Sequence, residues 1–302
     1  MKNVLVTGGC GFIGGHLVDE LIDRGKNVVV VDNESSAANE KYHYRNQATY
    51  YGYDISDYNE VGNVFSNHRI DTVFHLAARS RIPYSIKEPL DTCSVNFIGT
   101  LNILELARHH GVERVLYSST SSAYGLKNEP PLHEEMDRDC LNPYSVSKVA
   151  AEDLCKMYNN LYDLNTIIFR YFNVYGERQP LKGSYAPVIG IFLRQRESRE
   201  DLTIVGDGLQ TRDFTHVSDV VNANMLAAET HEESAFGQIF NVGTGKNHSV
   251  LDIAKMIANN YIFLPPRSGE ARSTLADANK IKNLLKWEHK VELEDWIKEQ
   301  SL

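Results

Sequence analysis

A chain of 302 residues, 42% hydrophobic and 24% charged, has the material for one large globular domain plus an appended lobe. Its formal net charge of −9, with no basic run, argues against a nucleic-acid surface. Four widely spaced cysteines, Cys10, Cys93, Cys140 and Cys155, form no CxxC pair, so the composition offers neither a metal site nor a disulfide framework and points to a reducing compartment.

Met1–Lys2–Asn3 runs straight into the apolar Val4–Leu5–Val6, leaving no room for a signal peptide, and no apolar run approaches membrane-spanning length. A cytoplasmic protein with no membrane partner is expected. In chain order, the strand candidates are Val4 to Thr7, Val28 to Asp32, Tyr50 to Tyr53, Thr72 to Leu76, Arg114 to Ser118 and Thr166 to Arg170. Helical patterns fall between them near 12–24, 57–67, 93–110 and 144–160, and the polar segment Asn33 to Gln47 reads as a loop. Alternating short apolar strands and helices predict an α/β fold, a doubly wound parallel sheet buried on both faces. Beyond Arg170 the pattern loosens at Gly176, Pro180, Gly183, Pro187, Gly206 and Gly208. The expected division is a nucleotide-binding domain over 1–172, joined by returns from later segments such as 213–242, and a smaller substrate lobe over 173–302.

Gly8, Gly11 and Gly14, with Phe12 and Ile13 between them, lie between the first strand and the first helix. There, glycines permit a tight turn, a close approach of backbone to a pyrophosphate, and close packing of helix on sheet. A plain tight turn is the competing reading of the triplet alone. Asp32 ends the second strand, 18 residues past Gly14, where a carboxylate accepts both adenosine ribose hydroxyls and repels a 2′-phosphate. NAD is therefore expected rather than NADP, with a turn cap before Asn33 as the alternative role for Asp32. Asp54 and Ile55 can flank the adenine, or Asp54 can close an Asx-turn. Leu76, Ala77 and Ala78 leave room for cofactor at the carboxyl edge of the sheet, and His75 reads as a satisfied strand-end histidine.

Tyr144 and Lys148 stand four residues apart in Asn142-Pro143-Tyr144-Ser145-Val146-Ser147-Lys148. On a helix this spacing puts them on one face, about 5–6 Å apart at Cβ. A nearby ammonium favours a phenolate, so Tyr144 is expected to be more acidic than free tyrosine and to serve as a general base, with Lys148 also bonding the nicotinamide ribose. A surface Tyr beside an exposed Lys is the bland reading. Ser118-Ser119-Thr120-Ser121-Ser122-Ala123-Tyr124-Gly125, after the fifth strand, brings hydroxyls to the same edge, although a loose serine-rich loop also fits.

With these motifs in place the chain resembles the extended short-chain dehydrogenase/reductase family, whose fold is of the Rossmann type, and within it the nucleotide-sugar 4-epimerases. The resemblance rests on TGGCGFIGGHL, HLAARSRIPYSIKEP, SVNFIGTLNILE, SSTSSAYG, NPYSVSK, RYFNVYGERQ, GDGLQTRDFTHVSDV, FNVGTG and PPRSGEARSTLADANK. It implies that Thr120 bonds the sugar 4-oxygen, Tyr144 is the base, and Lys148 binds ribose. It also implies that Asn96 and Tyr171 border the cofactor, Asn173, Arg212 and Arg267 hold the substrate diphosphate, and Glu270 holds the nucleotide ribose. Ser80, Arg81, Ser121 and Ser122 fall to the sugar. The implied partner is a UDP-hexose; the implied reaction inverts C4 through a transient 4-keto sugar.

Sister dehydratases and decarboxylases of the family carry acidic residues just after the active-site Thr, where this chain has Ser121 and Ser122, so epimerisation is expected. Thr274 aligns with a gatekeeper position, and its small side chain, together with Gly176-Glu177-Arg178-Gln179 and Gly183 to Ile189, implies that N-acetylhexosamines fit beside glucose and galactose. Arg79, Ser80 and Arg81 leave a uronic-acid substrate open. A non-catalytic dinucleotide-binding module is the reading from another class. The resemblance further implies a homodimer through the helices near 93–110 and 144–160, whose apolar stripes, Phe97-Ile98-Leu101-Leu104-Leu106 and Ala150-Ala151-Leu154-Cys155-Tyr158, are otherwise ordinary core.

Overall fold

The computed structural model describes residues 1–36, 42–181, 187–266 and 271–300. In chain order these form β1 (Asn3–Thr7), α1 (Phe12–Asp23), β2 (Asn27–Val31), β3 (Thr49–Tyr51), α2 (Tyr58–Asn67), β4 (Thr72–His75), α3 (Ile82–Lys87) and α4 (Pro89–Cys93). A π-helical turn (Ser94–Ile98) then leads into α5 (Gly99–His109), β5 (Arg114–Thr120), a short 3₁₀ turn (Ser121–Tyr124), α6 (Pro143–Tyr162), β6 (Asn165–Tyr171) and β7 (Asn173–Tyr175). The remainder holds α7 (Val188–Glu197), β8 (Leu202–Val205), β9 (Thr211–His216), α8 (Val217–Glu229), β10 (Gln238–Val242), β11 (Asn247–Ser249), α9 (Val250–Ile257), β12 (Tyr261–Leu264), α10 (Asn279–Leu285) and α11 (Leu293–Glu299).

Seven strands, in the order β10-β6-β5-β4-β1-β2-β3, make one parallel sheet. Side chains alternate faces along a strand, and both faces are apolar because both are covered. Val4, Val6, Val28, Val30, Phe74, Leu116, Ile167 and Phe169 pack with Leu17, Val18 and Leu21 of α1 and with α8 and α10. Leu5, Val29, Val31, Val73, Val115 and Ile168 face the other way, onto α2, α5 and α6. The strand order reverses between β1 and β4, so the connections leaving them part and open a crevice at their carboxyl ends.

A third apolar cluster, including Tyr175, Ile189, Phe192, Ile204, Phe214, Ile253 and Trp296, is built from the later segments around β7–β9–β11 and β8–β12. The chain past residue 172 serves both bodies, since β10, α8 and α10 return to the large sheet. The helix expected near 93–110 begins earlier, at Pro89, and passes through the π-helical turn; α3 carried no separate expectation. Among the described residues, no helix is long and apolar enough to cross a membrane.

Candidate active site

A cavity of about 560 Å³ lies in the crevice, lined by Gly8, Gly11, Phe12, Ile13, Gly14, Asp32, Asn33, Asp54, Ile55, Leu76, Ala77 and Ala78 at one end and by Tyr144, Lys148 and Tyr171 at the other. Gly8 takes φ +72°, and a Cβ there would lie 2.7 Å from the Ala77 nitrogen. A Cβ on Gly14 would lie 2.1 Å from the Gly8 carbonyl oxygen. Only glycine lets α1 start this close to the end of β1. No side chain caps α1 at Gly11, so its first-turn N–H groups are left for a ligand anion.

The Asp32 carboxylate accepts N–H bonds from Cys10 (2.9 Å) and Glu34 (2.8 Å), so it closes a turn and also faces the cavity. Burial pushes its carboxyl up, and those two donors oppose the rise. Asp54 accepts from Ser56 in an Asx-turn (2.9 Å), takes a bond from Asn33 (2.6 Å), and lines the cavity. His75 is paired with Thr7 (2.7 Å) and Thr100 (2.9 Å), and burial pulls it down to about 3, which keeps it neutral.

Helix α6 delivers Tyr144 and Lys148. Asn142 caps it with a reciprocal pair of bonds to Ser145, and Pro143 presets its first turn. The Thr120 hydroxyl acts on the Tyr144 phenol, favouring its charged form, and the Lys148 ammonium sits 4.3 Å from the centre of the Tyr117 ring. The electrostatics run against the expectation that an adjacent ammonium makes Tyr144 more acidic. Burial pushes the Tyr144 phenol up, the nearby Thr120 hydroxyl opposes this, and burial pulls Lys148 down to about 7. Desolvation exceeds the local charge effect because Lys148 is buried and Tyr144 is half-buried in the lining of the crevice.

A second cavity, of about 570 Å³, is lined by Ser121, Ser122, Gly125, Leu126, Leu141, Asn142, Asn173, Arg212, Phe214 and Thr274. Ile82 and Pro187 line both cavities, so the two adjoin. Ser118 and Ser119 belong to the first lining and Ser121 and Ser122 to the second; Thr120, itself buried and in neither lining, joins them in the chain at the seam. Asn173 donates to the Asp213 carbonyl (3.1 Å), Arg212 donates to the Thr211 carbonyl (2.8 Å), and the Thr274 hydroxyl accepts from the Asp213 N–H (3.4 Å).

Ser80 and Arg81 line the first cavity rather than the second. Asn96 reaches neither: its side chain is spent on both backbone groups of Arg79 and on Ser147, clamping the loop after β4 to α6. Arg79 binds Asp91 (2.7 Å) and lies 3.8 Å from Asp54. Arg267, Glu270 and most of the Gly183 to Ile189 stretch lie outside the described residues.

Two structural residues went unread in the sequence. Asp213 accepts from the N–H groups of Thr244, Gly245 and Ala276, tying together the segments that carry Arg212 and Thr274. Glu152 extends the series Tyr144, Lys148 by one more helical turn, and that spacing could have revealed it.

A family model described as the NAD-dependent epimerase/dehydratase family matches residues 4–243. The chain belongs to that family. Its UDP-glucose 4-epimerase relative from Mycolicibacterium smegmatis is 36% identical over 303 residues, covering 97% of this chain and 95% of the relative. The UDP-glucose 4-epimerase of Thermotoga maritima, solved with UDP-glucose, superposes with a TM-score of 0.92 at 37% identity, over 98% of this chain and 96% of the other. The Thermus thermophilus UDP-glucose 4-epimerase, solved with NAD, gives 0.89 at 31% identity, over 98% and 97%. NAD is the cofactor of this family member, and the glycine cradle, the uncapped first turn of α1 and Asp32 fit it.

Proposed function

We propose that this NAD-dependent family member is a UDP-hexose 4-epimerase that inverts C4 through a transient 4-keto sugar. The observation that carries the reading is the seam, where the two cavities adjoin with Tyr144 and Lys148 lining the first and Thr120 leading from the Ser118 and Ser119 lining of the first to the Ser121 and Ser122 lining of the second. Tyr144 removes the 4-hydroxyl proton, Thr120 holds that oxygen, and Lys148 supplies positive charge beside them. Bound NAD supplies a reversible hydride acceptor and, in its oxidised form, a cation. Asn173 and Arg212 hold the diphosphate while the sugar turns its other face, and Tyr144 returns the proton.

The second cavity's described lining contains no Asp, Glu or His. With no further acid or base among the described residues of this lining, elimination and decarboxylation lack a partner there, which favours epimerisation. The small Thr274 supports acceptance of N-acetylhexosamines as well as glucose and galactose. The test is conversion of UDP-galactose to UDP-glucose by purified holoenzyme, with Tyr144→Phe expected to lose about 10³-fold or more in kcat while retaining NAD. Absence of conversion for every UDP-hexose, or full activity in the variant, would refute the reading.

One observation favours a second substrate. The Arg81 guanidinium lines the first cavity and, among the described residues, has no hydrogen-bond or ion-pair partner. It suits a carboxylate, so we propose that a UDP-hexuronate is also taken. Arg81→Ser should lower kcat/KM for the uronate about 10-fold or more relative to the neutral sugar; an unchanged ratio counts against it.

We also propose a homodimer through α3 to α6. Leu104, Leu106, Ala151, Cys155 and Tyr158 of the two expected stripes are core, but Ile98 of the first stripe is exposed, as are Ile86 on α3, Leu90 on α4, and Met157 and Leu161 on α6, Leu90 by 86%. A monomer mass at micromolar concentration by light scattering would overturn this.

A further inference from the structure

Glu152 follows Tyr144 and Lys148 along one face of α6 and is wholly buried, yet nothing in the proposed chemistry uses it. Its carboxylate receives two bonds from Arg170, Nε at 2.9 Å and Nη2 at 2.8 Å, and a third from the Ser119 hydroxyl at 2.5 Å. Ser119 and Arg170 face each other across β5 and β6, and the next pair in register is Thr120 and Tyr171. Three bonds therefore fasten the helix carrying Tyr144 to the two strands at the residues just before Thr120 and Tyr171.

We propose that Glu152, Arg170 and Ser119 are a positioning unit that sets the distance and angle between the Tyr144 phenol on α6 and the Thr120 hydroxyl on β5. The proposal rests on the reading of those two groups as the pair that brackets the sugar 4-hydroxyl.

Fold stability alone gives little reason for the unit. Replacing a buried ion pair by apolar side chains of similar volume is often neutral or stabilising. Here the pair is incompletely satisfied as well: Arg170 Nη1 is buried with no hydrogen-bond partner among the described residues, and its guanidinium rests 4.8 Å from the centre of the Tyr124 ring. A proton relay, by contrast, loses rate steeply with misplacement, about 10²-fold for an error near 1 Å. The α6 cap cannot fix this placement by itself, because it orders the helix without tying it to β5.

Glu152 also carries the negative charge nearest in sequence to Lys148. The other titratable groups facing that ammonium from the packed elements are His75 on β4, Tyr117 on β5 and Cys155 on α6, with Tyr144 one turn earlier on the same helix. Burial disfavours the charged form of each of these four.

The test compares wild type, Ser119→Ala, Glu152→Gln and the apolar pair Glu152→Met with Arg170→Met, each as NAD-loaded enzyme turning over UDP-galactose. The apolar pair is expected to fold with a Tm near wild type, retain NAD, keep KM within about 3-fold, and lose about 10²-fold in kcat. Ser119→Ala removes one bond and should lose about 3- to 10-fold in kcat at unchanged KM. In Glu152→Gln the alkaline limb of the kcat profile should move to lower pH, a change that a purely structural role does not produce. A folded apolar pair with kcat within about 3-fold of wild type overturns the proposal. If the apolar pair does not fold, Ser119→Ala decides, and unchanged kcat there also overturns it. A wild type that epimerises no UDP-sugar would instead refute the catalytic reading, so the two failures are distinguishable.

Discussion

The two cavities that meet at Ile82 and Pro187 are built differently. The cofactor cavity is organised around backbone: a glycine turn, the first N–H groups of α1, and the ends of parallel strands whose positions the sheet dictates. The second is a mosaic of side chains from segments as distant as Ser121 and Thr274, held in relation by Asp213 and the returning strands. A backbone site tolerates little local change, because its shape is its covalent geometry. A side-chain mosaic can change its ligand one residue at a time, so substrate preference should be far easier to alter than cofactor use.

That contrast can be broken by substitution, and the largest effect should come from the backbone site. Gly14→Val puts a branched side chain where a Cβ alone would lie 2.1 Å from the Gly8 oxygen. Purified Gly14→Val should carry little or no NAD by absorbance or extraction; stoichiometric NAD would show that the turn is not a cradle. Asp32→Ala should weaken NAD by about 10- to 100-fold, as expected for loss of a carboxylate hydrogen-bonded to two ribose hydroxyls, measured by titration of stripped protein.

On the mosaic side the expected effect is selective. Thr274→Tyr should cost about 10- to 100-fold in kcat/KM for UDP-N-acetylglucosamine and leave UDP-galactose within a few-fold. Turnover of the non-acetylated pair alone in wild type, unchanged in the variant, would remove Thr274 from the sugar site.

The smallest effect concerns the seam. Lys148 is held near pH 7 by burial against an ordinary 10.5, so between those values the unfolded chain binds more protons and stability rises with pH. Lys148→Met lacks this term. Its thermal midpoint should exceed that of cofactor-free wild type most at pH 7 and below, and the gain should shrink toward pH 10; a pH-independent difference would contradict the burial of a charged Lys148.

The same contrast explains what was legible in the sequence. Gly8 to Gly14, Asp32 and the pair Tyr144 and Lys148 are contiguous or regularly spaced, and periodicity alone brings them to one sheet edge. Asp213 escaped notice because its partners are Thr244, Gly245 and Ala276, far along the chain, and no local pattern marks it. Helix α3 is six residues with Pro83 in its first turn, too short to show a helical period. Asn96 shares a motif with cofactor-facing neighbours but lies in the π-helical turn, where it spends its side chain on the protein. The sign of the Tyr144 shift was unreadable because burial, which decides it, is a property of the assembled fold.

The central claim is that Tyr144 and Thr120 bracket a sugar hydroxyl whose carbon gives up its hydrogen and takes it back. UDP-galactose deuterated at C4, incubated with NAD-loaded enzyme and read by mass-resolved product analysis, tests it directly. The account predicts UDP-glucose that retains deuterium at C4, formed by wild type and not by Tyr144→Phe. Product without deuterium, or conversion that survives the loss of the phenol, would contradict it.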